Sequence, residues 1–527
     1  MKNVIFFSIV ILFVSLFSAC TENLLETVPN DRISTDIFWK TEKDAIYGSN
    51  SVYRYIDSTS VVDFDGLTDI LHSNIPFYDN GTIERGDYST TTQKIYDQWV
   101  YSYKGIRAAN NFLENVDKVT TTNTALISTL KSEIRVIRAY QYIRLVMLWG
   151  DVPLITKTIN TIPEGQAVTR NQSSEIWAFI NTELDACAVS LPITQTDKGR
   201  ITKGAALALK ARALLYQGKW AEAAVAAKSV MDLNKYSLYP KYEDLFTYAA
   251  ENNVEVILDK EYIKDVYSNN MFQYLGPYSQ KNASCTFVPT RKLVDSYTML
   301  NGKSISDPTS GFDKDNPYEN RDPRLKFSVF VKGSKLPDGK IYDPTPGSKT
   351  LDEVGSTYLA TVLGFNVKKY VNADDVANIS NCGINIILIR YAEVLLTYAE
   401  GKIESNQIDQ SVYDAINAIR SGRTDVKLPT ISTGLSQAEL RTIVRKERML
   451  ELAFEGFRLF DLRRWKTAEN EIPGYVEGMT YKNASGSYVT IKLDAFLKVF
   501  DASKHYLWPI PKKEIDLNSN LKQNPGW

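Results

Sequence analysis

Histidine and cysteine are scarce in this 527-residue sequence, which holds 2 His and 4 Cys. So few imidazoles and thiols, at scattered positions, supply neither a zinc spacing nor a disulfide framework. His72 and His505 stand isolated, and no Gly-x-Ser-x-Gly elbow, His-Glu-x-x-His string or glycine-rich phosphate loop occurs. An excess of charge is also missing. The 61 basic and 62 acidic side chains leave a formal charge of −1, which removes the electrostatic footprint of a nucleic-acid binder. No stretch is long and apolar enough to span a bilayer, for which about 20 residues are needed.

What is abundant is aromatic. The 31 Tyr and 8 Trp favour amphipathic contact surfaces of the kind that suit sugars and peptides. Apolar residues at 44% and charged ones at 23% argue for a folded chain, and the length permits a sizeable core without staples.

The N-terminus has the form of a secretion signal over residues 1–19: Lys2, a mostly apolar run over 4–17, then Ser18 and Ala19 before Cys20. Small residues before a cysteine there resemble a lipobox, although Phe17 replaces the usual aliphatic residue. Cys20 is therefore the expected lipidation site, followed by a tether over 20–35 and a body over 36–527. Several acyl chains, each contributing roughly 0.8 kcal/mol per buried CH₂, make such an anchor effectively permanent. The remaining Cys187, Cys285 and Cys382 allow one disulfide and require none.

The clearest internal pattern is AALALKARALLYQGKWAEAAVAAKSVMDL at 205–233, two amphipathic helices joined at Gln217-Gly218-Lys219. Ala211, Gly218, Trp220, Ala223 and Ala227 have the spacing of a tetratricopeptide repeat, in which small side chains let two helices approach closely. A degenerate pair follows at 390–420. Helical spacing also runs over 96–116 and 125–149, ended by Gly150-Asp151-Val152-Pro153, and a charged helix is expected over 436–465. The expected architecture is mainly α, with helices about 96–150, 175–233, 388–421 and 436–466. A loop-rich insertion with a few short strands occupies about 234–387. Absence of any long linker argues for one contiguous body.

Several motifs in order resemble the SusD/RagB family. After the lipobox come LETVP at 25–29, Phe38-Trp39 and Ala45, then Trp99, Tyr103, Ile106 and Asn110 on one helix. Arg138-Ala139-Tyr140 leads into GDVPL at 150–154, followed by GRITKGAA at 199–206 with Ala211-Arg212 and Leu215-Tyr216. NRDPRL at 320–325, RYAEVLL at 390–396, Glu447-Arg448 with ELAFEG at 451–456, Arg458 and FDLRRW at 460–465, then YLWPIP at 506–511 and QNPGW at 523–527 complete the set.

The resemblance implies a SusD-like fold of tetratricopeptide-like helices, lipid-anchored and facing outward on the outer membrane. It also implies a partner, a SusC-like TonB-dependent transporter, to which a captured nutrient, usually a glycan, is delivered. No catalytic residue and no cofactor are implied. Two alternatives stay open: a lid of the same type that captures peptide or glycoprotein, and a repeat scaffold that binds proteins only. A glycoside hydrolase would need a matched pair of carboxylates, and nothing in the sequence singles one out.

Read as chemistry, most of these motifs are structural. Asp322 between Arg321 and Arg324 invites bidentate ion pairing that pins an irregular segment to a helix. Ligand contacts are expected instead in loops where exposed aromatics stand beside Asn or Asp. Two stretches qualify, 74–96 and 261–278, and from them come Tyr78, Asp79, Asn80, Tyr88, Asn270, Tyr274 and Tyr278. Asp63-Phe64-Asp65-Gly66 and Asp313-Lys314-Asp315-Asn316 are similar to cation-binding loops without completing the pattern, so bound calcium is unsupported.

Overall fold

The computed structural model describes residues 38–75 and 79–527. The expected signal peptide, Cys20, the tether and Tyr78 lie outside them. The fold is mainly helical, and among the described residues its strands form four two-stranded antiparallel sheets. No helix among these residues is long and apolar enough to cross a membrane.

The helices stack in a continuous array. Gln93–Asn115 packs on Thr124–Trp149, which packs on Ser173–Ser190, then Lys203–Tyr216 and Trp220–Met231 follow in turn. The array does not stop where the insertion begins. Trp220–Met231 packs directly on Tyr391–Glu404, so the two repeat-like pairs separated by about 160 residues of sequence are neighbours in space. Close approach explains the small residues: a Cβ on Gly401 would lie 2.6 Å from the Trp220 carbonyl oxygen and 3.0 Å from the Ala224 nitrogen. Ala211, Ala223 and Ala227 are likewise buried.

Local chemistry sets the helix ends. Thr202 accepts from the Ala205 N–H, and Ser436 forms a capping box with Glu439. Gly218 turns the hairpin at φ +72°, a conformation glycine adopts without strain.

The single helix expected over 436–465 is two, Gln437–Glu451 and Arg458–Trp465. Between them Phe454 and Gly456 take positive φ values of 68° and 83°. A side chain at Gly456 would collide with Val61, since its Cβ would sit 2.5 Å from Cγ2. The break lets Asp65 accept from the backbone N–H groups of Gly456 (3.0 Å) and Arg458 (2.8 Å), and it turns Glu455 inward.

What Glu455 meets is a buried ion network. Arg390 contacts Glu255 (2.8 Å), Glu451 (2.7 Å) and Glu455 (2.7 Å). Arg423 also contacts Glu255 and Glu451, and Lys369 contacts Glu455. Arg324 is fully buried against Asp322, Glu447 and Glu451, with Glu447 further held by Arg420. Five cations (Arg324, Lys369, Arg390, Arg420, Arg423) face five carboxylates (Glu255, Asp322, Glu447, Glu451, Glu455), so the cluster is neutral. The bracing role expected for the Arg321–Arg324 stretch is what the structure shows. Arg321 itself donates to the Val294 and Tyr297 carbonyls instead. Cys187, Cys285 and Cys382 are buried and unpaired.

Removing one member should leave its partners charged and uncompensated. Glu451→Ala is expected to cost about 3–5 kcal/mol. Asp516→Ala, which breaks an exposed pair with Lys512, should cost at most about 1 kcal/mol. Urea denaturation of both variants measures the difference, and equal midpoints would refute the role given to the network.

Candidate functional site

Asp259 and Lys260 end the strand Val256–Lys260, which pairs antiparallel with Ile386–Arg390. The chain then enters one of the two loops nominated by sequence. The Tyr262 N–H donates to the Asn385 side-chain oxygen at 2.9 Å, and its hydroxyl pairs with Ser58 Oγ. Ile263 and Tyr267 exchange backbone hydrogen bonds at 3.0 and 2.9 Å, with Asp265 at φ +64° in the turn. This tight reversal stacks Tyr267 on Tyr262, ring centroids 5.2 Å apart and planes within 6°. Tyr262 is buried, whereas Tyr267 is 50% exposed. One tyrosine is thus the backing of the other.

The stacked pair borders a cleft of about 430 Å³. Across from it run the end of helix Glu42–Tyr53 and the turn at Lys198-Gly199-Arg200. Gly199 has φ +71°, a conformation that favours glycine, and an added Cβ there would press on the Glu261 side chain, 2.9 Å from its carboxyl carbon. Arg200 is committed, donating to Glu133 (2.9 Å), Ser49 (3.0 Å) and Asn50 (2.8 Å). The side chains of Arg54, Lys198 and Glu261 and the Tyr267 hydroxyl, by contrast, make no hydrogen bond or salt bridge among the described residues. These free donors and acceptors beside an exposed aromatic face can bind a ring that carries hydroxyl groups.

Two further groups line the cleft from beneath. Lys260 donates to the carbonyls of Arg54 (2.9 Å) and Ile56 (3.1 Å), and burial pushes its ammonium down to about 8. Asp259 accepts from the Asn385 amide at 3.2 Å, and burial, then the neighbouring Glu261, push its carboxyl up to about 7.

The residues nominated by sequence fare differently. Tyr88, expected to be exposed, is buried between His505 (4.8 Å) and Trp527 (4.9 Å) and is part of the core. Asn80 is buried too, on the short helix Asp79–Glu84. Asp79 accepts from the Lys94 N–H at 2.7 Å at the start of helix Gln93–Asn115. Tyr274 donates to Asp63 at 2.6 Å, and Asp63 also binds the Lys94 ammonium. The structure therefore brings Asp79 and Tyr274 together around Asp63 and Lys94, in a closed structural contact. Asn270 is exposed and Tyr278 half-buried.

Of the cation-like stretches, Asp63 and Asp65 are spent on Lys94, Tyr274 and the Gly456–Arg458 backbone. Among the described residues no group of three or more His, Cys, Asp or Glu is arranged to hold a metal. Sequence reasoning included Tyr262 and Tyr267 in the 261–278 stretch without selecting them. It missed Arg54, Lys198 and Asp259, whose only signal is a tertiary contact.

Comparison with known proteins adds a context. A model described as the SusD family matches residues 254–527, and one described as starch-binding associating with outer membrane matches 42–215. A SusD-like protein of Formosa agariphila is 26% identical over 95% of this chain and 96% of its own length. A SusD-like carbohydrate binding protein of known structure from Bacteroides fragilis is 27% identical, with a TM-score of 0.84 over 92% of this chain and all of its own. A second SusD-like protein of that organism is also 27% identical, with a TM-score of 0.82 over 95% of this chain and all of its own.

The Asp259 carboxyl gives the cleft a pH signature. Its folded value near 7 lies above the unfolded value near 3.9, so the stability it contributes is full below about pH 4 and is lost as pH rises through 7. Asp259→Asn keeps an acceptor for Asn385 and removes that loss. Thermal unfolding should show the variant melting above the parent at pH 8 and level with it at pH 4. The same offset at both values would contradict the assignment.

Proposed function

The chain belongs to the SusD family, and from that premise we propose that it is a glycan-binding lipoprotein of the outer-membrane surface. It captures oligosaccharide in the cleft beside Tyr267 and delivers it to a SusC-like TonB-dependent transporter. The observation that carries the binding step is the exposed face of Tyr267, backed by Tyr262 and surrounded by the free side chains of Arg54, Lys198 and Glu261. A pyranose ring laid on that face loses its apolar hydration while its hydroxyls replace water at the charged groups. The outer-membrane setting is supported by the description of the family model over 42–215, and a glycan cargo by the carbohydrate binding named for the Bacteroides fragilis relative. Cys20 supplies the anchor.

Asp259 and Glu261 stand two residues apart, and burial raises the Asp259 carboxyl to about 7. Such a pair is also what an acid–base hydrolase would use, which makes turnover the sharpest alternative to capture. We assign the two carboxyls to hydroxyl recognition.

Purified protein titrated against an array of plant, fungal and host oligosaccharides should show saturable binding with no release of new reducing ends. Tyr267→Ala is expected to weaken it about tenfold or more, while Tyr475→Ala, an equally exposed tyrosine elsewhere, leaves it unchanged. Release of reducing ends would replace capture by hydrolysis. Silence across the array from a folded protein would shift the cargo to peptide.

A further inference from the structure

A second cleft, of about 630 Å³, shares no residue with the one beside Tyr267. It lies between the hairpin of strands Gly474–Lys482 and Tyr488–Lys498, the turn at 314–319 and the turn at 331–335. The hairpin is set rigidly on the body. Met479 donates its N–H to the Leu363 carbonyl at 2.7 Å, and at Gly478 a Cβ would sit 2.3 Å from that same oxygen, so only glycine allows the approach. The hairpin's far end is latched as well, because Tyr488 (2.7 Å) and Lys482 (3.1 Å) both donate to Asp315.

Its charge is one-sided. Lys314, Lys326, Lys332, Lys335, Lys368 and Lys482 line it against Glu243, Asp315 and Glu319, a local excess of three positive charges in a chain whose total is −1. Internal pairing takes up only part of this. Lys326 meets Glu319 at 2.9 Å, Lys482 meets Asp315, and Lys332 reaches Asp343 only at 4.0 Å. Lys314 and Lys335 make no salt bridge among the described residues. Lys368 donates to the Lys326 carbonyl at 3.0 Å, and burial, opposed by Glu243, pushes its ammonium down, a cost that an incoming anion would relieve. Tyr488, 43% exposed and fixed by its bond to Asp315, provides a ring face at the same rim.

We propose that this cleft is a separate binding site for an acidic oligosaccharide. Lys314, Lys335 and Lys368 take its carboxylate or sulfate groups, and a sugar ring lies against Tyr488. A concave pocket with cations, interspersed acids and a tyrosine wall suits alternating apolar and anionic faces of one short chain. A nucleic acid or a lipid surface would call for a broad cationic face, which the overall charge does not provide. The inference stands independently of the reading given to the Tyr267 cleft.

The test titrates the purified full-length protein calorimetrically with three hexasaccharides: an oligogalacturonate, a sulfated chain and neutral maltohexaose. At least one acidic chain is expected to bind, weakening with added salt as screened charge pairs do, and maltohexaose is expected not to displace it. The carboxylate and sulfate arms tell which anion is preferred. Replacing two exposed cations in Lys314→Gln/Lys335→Gln should lower the acidic ligand's affinity about tenfold or more, with an unchanged far-ultraviolet spectrum and melting temperature, and Tyr267→Ala should leave it unaltered. Binding of no acidic chain, equal displacement by maltohexaose, insensitivity to the double substitution, or loss on Tyr267→Ala would each overturn the proposal.

Discussion

The structure depends on a set of charges that have no water. Arg324, Arg390 and Arg423 are essentially inaccessible to solvent, as are Glu255 and Glu451. Taking one such ion out of water costs several kcal/mol, and close pairing within a neutral set offsets that cost. Every member must therefore be present and correctly placed. The partners come from Glu255 just before the strand Val256–Lys260, Asp322 and Arg324 at the start of the short helix Pro323–Ser328, Lys369, Arg390 at the start of a repeat helix, Arg420 and Arg423 at and after the end of the next one, and Glu447, Glu451 and Glu455 on and just beyond the helix Gln437–Glu451. One electrostatic condition ties together segments nearly 200 residues apart, which apolar burial alone would leave free to slide because it is non-directional.

The candidate glycan cleft inherits its geometry from this condition. Glu255 immediately precedes the strand Val256–Lys260, and Arg390 ends the strand it pairs with. Their ion pair, together with the stacking of Trp220–Met231 on Tyr391–Glu404, decides where Asp259, Lys260 and Glu261 emerge. Tyr262 and Tyr267 follow within seven residues. The proposed binding groups thus sit at a strand end and on the loops around it, while their position is set by the buried ion network and the packed helices, the division of labour expected where function lies on loops held by a scaffold. The lysine-lined cleft is built the same way, on a hairpin whose approach is fixed by Gly478 against Leu363.

Much of this was legible in the residues themselves. Periodicity and small-residue spacing predict the helical hairpins, because close helix packing demands them whatever the context. The Arg321–Arg324 stretch reads as bracing because Asp322 beside two arginines invites bidentate ion pairing. Where reading failed, the cause is specific. The helix expected over 436–465 breaks because Asp65, some 390 residues earlier, supplies a carboxylate to the Gly456 and Arg458 N–H groups, and no local propensity encodes that partner. Tyr88 stands in a polar stretch like an exposed loop aromatic, yet the C-terminal Trp527 and His505 fold over it.

Sequence by itself determined the helical class, the repeat-like pairs, the family resemblance and the absence of an obvious metal or nucleophile constellation, since each is written in composition or in spacing along one element. Tertiary structure alone decided which tyrosine is exposed, which cations are free and where two clefts open. Exposure and pairing are properties of distances between residues far apart in the chain, and in this protein those distances are set by buried charges that must neutralise one another.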